Sequence, residues 1–121
     1  MTNTQQAIIQ QALHDNQGRF VAAALAEVPS GMILFLHADE DLPEDFAMAL
    51  AKLAERAATF TENHDQFDHV DEVLFYDIEG RQVILYLIKR QPANQILVLV
   101  AAPQKPYKQA SKRLAKALLQ T

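Results

Sequence analysis

Five consecutive apolar residues, Ile96-Leu97-Val98-Leu99-Val100, constrain this chain more than any other stretch. Successive side chains of a strand point to opposite faces, so a run apolar at every position has no face to give to water. It must lie in the middle of a sheet, with other elements packed on both sides. The rest of the chain has to supply its strand neighbours and both covers.

The remaining elements can be placed by periodicity and by turn residues. A short helix is expected from about Thr4 to His14, with Ile8, Ile9, Ala12 and Leu13 on one stripe and Gly18 beyond its end. Phe20–Val28 follows. Its alanines permit a helix, but Gly18 before it and Pro29-Ser30-Gly31 after it are turn signals, so it reads as a strand. Met32–Leu36 is a buried strand, and the tight Pro-Ser-Gly connection makes the two an antiparallel hairpin. His37–Asp41 is an acidic loop. Asp41-Leu42-Pro43-Glu44 is a helix-start pattern, with Asp41 as cap and Pro43 in the first turn, and the helix runs to about Phe60. Glu72–Ile78, Arg81–Lys89 and Ile96–Ala102 are joined by short turns and form a meander. A last helix covers about Tyr107–Leu119, with Ala110, Leu114, Ala117 and Leu118 inward. The order is helix, two strands, helix, three strands, helix. It fills residues 1–121 as a single domain.

Composition narrows the function. Fifteen acidic residues against eleven basic ones give a net charge of -4, which argues against non-specific nucleic-acid binding. The basic patch of Arg81, Lys89, Arg90 and Lys105–Lys116 reads instead as a place for protein docking. The polar start lacks Lys and Arg and does not read as a signal peptide. No apolar run is long enough to insert in a membrane. Cysteine is absent, in keeping with a reducing compartment. A cytoplasmic protein is expected.

No cluster announces chemistry. His64–Glu72 carries two His and four acids, which are good metal-ligand types, but without a recognised spacing. Its simpler reading is a solvated connector, that of His37–Asp41 is a helix-capping loop, and Asp39, Glu40, Asp41, Glu44 and Asp45 read as exposed acids without the burial that acid–base work needs. Ser30 and Ser111 have no motif partner and read as surface residues. No enzyme activity and no cofactor are expected.

The long helix carries two stripes. Phe46, Leu50, Leu53, Ala57 and Phe60 form one, and Ala47, Ala51, Ala54 and Ala58 form a second. The second follows the four-three-four spacing of paired helices, where small residues allow close backbone approach. The large stripe is expected on the chain's own sheet and the small one against the same helix of a second subunit. Paired helices would leave Lys52, Glu55, Arg56 and Thr59 at the rim of a broad surface, where mixed charge suits recognition of a protein. Glu72–Ile78, with Leu74 and Tyr76, reads as an apolar sheet edge, which invites pairing unless covered.

The hairpin Phe20–Leu36, the meander segment from Val73 to Leu85, and Ile96–Ala102 leading into the last helix together resemble the roadblock / dynein light chain family, which is related to longin domains. The likeness spans nearly the whole chain. Two details depart from it: Val28-Pro29-Ser30-Gly31 stands where members often have an Asp-x-x-Gly turn, and Lys105-Pro106-Tyr107 where they often have Asn-Leu-Gly. The resemblance implies an α+β fold of order α-β-β-α-β-β-β-α: a five-stranded antiparallel sheet with the long helix on one face and the terminal helices on the other. It also implies a homodimer, with long helices side by side and the first meander strands edge to edge. Bacterial members of the MglB type bind small Ras-like GTPases and regulate their nucleotide cycle, and others are adaptors. A non-catalytic regulator or adaptor for a small GTPase is therefore expected. The alternative is a dimeric secretion chaperone for a partner polypeptide. Such chaperones place three strands before the middle helix and two after.

Overall fold

The structure is a computed structural model that describes residues 2–28, 30–63, 73–76, 79–89 and 93–121. Its elements are α1 (Thr2–Asp15), β1 (Phe20–Glu27), β2 (Ile33–Ala38), α2 (Phe46–Asn63), β3 (Val73–Tyr76), β4 (Gln82–Ile88), β5 (Gln95–Ala101) and α3 (Lys108–Leu119). The strands form one antiparallel sheet in the order β2-β1-β5-β4-β3. Two strands precede the middle helix and three follow it, the opposite of the chaperone order.

β5 occupies the centre, and every one of its residues is buried. Its alternation divides the core into two layers. Ile96, Val98 and Val100 face α2, with Ala22, Ala24, Ala26, Leu50, Ala54 and Ala58. Leu97, Leu99 and Ala101 face the other way, into a layer with Ile9 of α1 and Leu114 and Leu118 of α3. Three element layers thus enclose two sheets of side chains.

β1 is a strand despite four alanines, because it bonds on both sides: Ala24 sits opposite Leu36 of β2 and opposite Val98 of β5. Helix propensity is a weak preference that two ladders of backbone hydrogen bonds override. The alanines have a packing use. Ala22, Ala24 and Ala26 present a low surface to Ala54 and Ala58 of α2, so helix and strand approach closely. The β1–β2 register shifts between Leu25 and Ala26, a bulge that sets Leu34 outside the pairing.

Several boundaries differ from the sequence reading. His37 and Ala38 belong to β2, opposite Ala23 and Ala22, and not to a loop. Residues Asp41 to Glu44 do not open the helix. Two turns occupy this stretch, closed by Leu42 N–H donating to the Asp39 carbonyl (3.1 Å) and Phe46 N–H to the Pro43 carbonyl (2.9 Å). The half-buried Leu42 anchors this crossing onto the α2-side core, and the helix begins only at Phe46. α1 ends where Asn16 donates both its backbone N–H (3.1 Å) and its side-chain Nδ2 (2.7 Å) to the Ala12 carbonyl.

Ser111 is not a surface residue. It is fully buried, and its hydroxyl donates to the Lys108 carbonyl at 3.1 Å while lying 2.6 Å from the Tyr86 hydroxyl. Since the Ser111 proton is committed to Lys108, Tyr86 donates in that pair. Gln5 and Gln95 exchange amide hydrogen bonds of 2.7 and 3.1 Å and tie α1 to the start of β5. Gln82 Nε2 donates to the carbonyls of Ala102 (3.2 Å) and Lys105 (2.8 Å), holding the path from β5 into α3. Among the described residues no buried side-chain polar atom lacks a partner.

Candidate protein-docking surface

The candidate surface is built on α2. Eighteen residues give it five turns, and its packing is lopsided. It lies on β1, β2 and β5, toward one side of the sheet. The side chains at the centre of its inner face are Leu50, Ala54 and Ala58, spaced four apart. Its outer face carries Lys52, Glu55, Arg56 and Thr59, all four of them exposed. Thr59 is oriented by its hydroxyl, which donates to the Glu55 carbonyl at 3.1 Å.

The small-residue stripe is divided by the fold. Ala54 and Ala58 are each 0% exposed, covered by the chain's own sheet, and so form no seam for another subunit. The other two, Ala47 and Ala51, are half-buried. The reason is the alanine face of β1: small residues on the helix meet small residues on the strand, and the close approach occurs within one chain.

The large stripe is divided too. Leu50 is buried, but Phe46, Leu53 and Ala57 lie on the flank of α2 and are only half-covered. That flank points toward β4, since the Arg81 guanidinium just before β4 stacks over the Phe46 ring at 5.4 Å. Leu85 and Leu87 of β4, on the same face of the sheet, are also half-covered. The opposite flank is closed by the β1–β2 turn. Gly31 (φ 76°) abuts α2 so closely that a Cβ there would lie 2.8 Å from the Glu55 Cγ and 3.3 Å from its backbone Cα. One side of the helix is therefore closed by the turn, and on the other side, among the described residues, a half-covered apolar strip runs over β4.

The strip ends at β3, the sheet edge. Its Leu74 and Tyr76 are 37% and 63% exposed. They pair with Ile84 and Gln82, whose side chains belong to the α1–α3 side, so both point away from α2. Met48 on α2 is the most exposed large apolar side chain among the described residues, at 71%. Sequence reasoning missed Met48 as an exposed residue and Leu85 and Leu87 as half-covered ones. The only signal was that α2 carries more apolar residues than one sheet contact uses.

The His37 ring lies 3.3 Å from the Asp39 carboxylate on the surface. Among the described residues no three His, Cys, Asp or Glu side chains come together as a metal site. The 64–72 connector lies outside the described residues. Among the described residues, no helix is long and apolar enough to cross a membrane.

No family model and no curated protein sequence matches the chain. Solved structures do. The gliding protein mglB from Thermus Thermophilus superposes with a TM-score of 0.68 at 20% identity, over 96% of this chain and 86% of that one. A roadblock/LC7 domain from Streptomyces avermitilis gives 0.62 at 14%, over 95% and 97%. MglC from Myxococcus xanthus gives 0.58 at 14%, over 99% and 98%. These likenesses establish that the chain has the roadblock fold.

Proposed function

We propose that this chain, folded as a roadblock domain, is a non-catalytic homodimeric regulator or adaptor that binds a small Ras-like GTPase. One observation carries the reading: α2 presents a solvent-facing, mixed-charge outer face, and beside it runs a half-covered apolar strip of Phe46, Leu53, Leu85 and Leu87. A second copy of α2 laid in that strip would cover it, with edge strand β3 near the same seam. The seam thus moves from the small stripe to the large one. Two α2 helices side by side would then offer Lys52, Glu55, Arg56 and Thr59 from each subunit as one surface. The MglB and MglC likenesses support the same class of protein.

The partner reading suits the chemistry of the surface. Exposed charges at a rim set encounter rate and partner choice more than affinity. Any stimulation of hydrolysis would come from repositioning the partner's own loops. The test is binding of a GTPase encoded beside this protein, loaded with GTP or GDP, to the wild type and to a Lys52→Ala/Arg56→Ala variant. Loss of binding in the variant is expected. Equal binding would remove this surface, and no binding in either nucleotide state would leave only an adaptor role.

A further inference from the structure

The charges of this chain are segregated along its length. All fifteen acidic residues lie at or before Glu79, where only three cations accompany them. Eight of the eleven cations lie at or after Arg81, with no acid among them. Five of these, Lys105, Lys108, Lys112, Arg113 and Lys116, are exposed on α3 and its approach. None of the five makes an ion pair with a described residue. Uncompensated like charges repel one another and weaken a fold. A partner that removes the repulsion would bind the folded state and stabilise it.

Beside these cations runs a groove of about 590 Å³ between α1 and α3, on the face opposite α2. Its lining includes the half-buried Ile8, Ala12 and Ala110, together with Leu114. Arg19 and Arg113 also line it. Arg19 is held by donating Nη1 to the Asn16 side-chain oxygen at 3.1 Å. The carboxylate in the lining, Asp15, already accepts a hydrogen bond from Gln11 Nε2 at 2.8 Å. Helical spacing sets Lys112 and Lys116 along the outer rim beside Arg113.

We infer that this α1–α3 groove docks an acidic amphipathic segment of a protein partner, its apolar side chains on the groove floor and its carboxylates on the α3 cations. An anionic bilayer fits less well. Its surface is flat, the apolar floor is recessed between two helices, and the acid-rich first part of the chain would be repelled. A nucleic acid fits less well too, because among the described residues no aromatic side chain lines the groove to stack a base. The inference uses a different face from α2 and does not rest on the GTPase reading.

The test uses a labelled synthetic peptide of about four helical turns, with Leu on one face and Glu on the others, against the full chain. Two controls are a scrambled peptide of equal composition and phosphatidylserine vesicles. The amphipathic peptide should bind, weaken with salt, and shift the backbone amide resonances of Ala7, Ala12, Ala110 and Ala117. Arg113→Glu with Lys116→Glu should weaken it about tenfold or more, and so should Ala7→Trp, which fills the groove. Should Ala7→Trp misfold, the resonance map on the wild type decides. Equal binding of the scrambled peptide, shifts mapping elsewhere, no binding, or vesicle binding without peptide binding would each overturn the proposal.

Discussion

Gly31 shows how much a single residue can decide in this fold. It sits at positive φ in the β1–β2 turn, where an added Cβ would meet the side chain and backbone of Glu55 on α2. Gly18 has a similar φ of 82° but nothing within 4 Å of where a Cβ would stand. The pair separates two costs. An alanine at either site costs about 1–2 kcal/mol for the left-handed backbone. At Gly31 overpacking against the helix adds about 1–3 kcal/mol. Gly31→Ala should therefore lower the denaturant midpoint well beyond Gly18→Ala, and equal shifts would mean that the turn does not press on α2. Val98 tests the centre in another way. It is 0% exposed, and a carboxylate there has no partner. The penalty is several kcal/mol, against about 5–15 kcal/mol of total stability, so Val98→Asp should fail to fold. A normal thermal midpoint for that variant would contradict the core described above.

At the scale of elements, the sequence was most legible where one rule applied alone. The β5 run had no polar face, and so its central place could be read directly. The hairpin and meander followed from short turns. Legibility failed where two partners compete for one residue type. The alanines of α2 carry a pairing spacing, but spacing cannot say whether the close neighbour is a second helix or the alanine face of β1. Ser111 looked solvated because nothing in sequence announces that Tyr86, twenty-five residues earlier, lies beside it. The start of α2 was misplaced because Leu42, in a capping pattern, is used as an anchor. These readings yield a clean contrast. Ala54→Arg puts a charge in the chain's own core and should unfold it. Tyr76→Arg changes an exposed edge residue and should fold normally but yield monomer if β3 borders the seam. Light scattering distinguishes the two, and a Tyr76→Arg dimer would exclude the Tyr76 side chain from the interface. The Gln5–Gln95 pair offers a second element-scale test. Gln5→Leu leaves the Gln95 amide buried and unpaired, at about 1–3 kcal/mol, whereas changing both to Leu should recover most of the loss. If the double variant is as unstable as the sum of the singles, the two amides do not bond each other.

Across the whole molecule, two faces are uncovered by different means. The α2 face leaves a half-covered apolar strip beside a mixed-charge helix, and the α1–α3 face leaves cations without a described ion-pair partner beside a recessed groove. The central strand links them. β5 is bonded by β1 on one side and β4 on the other, and its residues from Ile96 to Ala101 belong alternately to one core layer and the other. Neither layer can open without removing the floor of the other. Hydrogen–deuterium exchange should therefore divide the sheet by position rather than by face. The Leu97 to Val100 amides should exchange only through complete unfolding, and at one common rate-limiting free energy. The outward-pointing amides of β2 and β3 should exchange through small local openings. A partner bound on either face would then slow exchange in β5 by the full free energy of its binding, even though it touches no β5 atom.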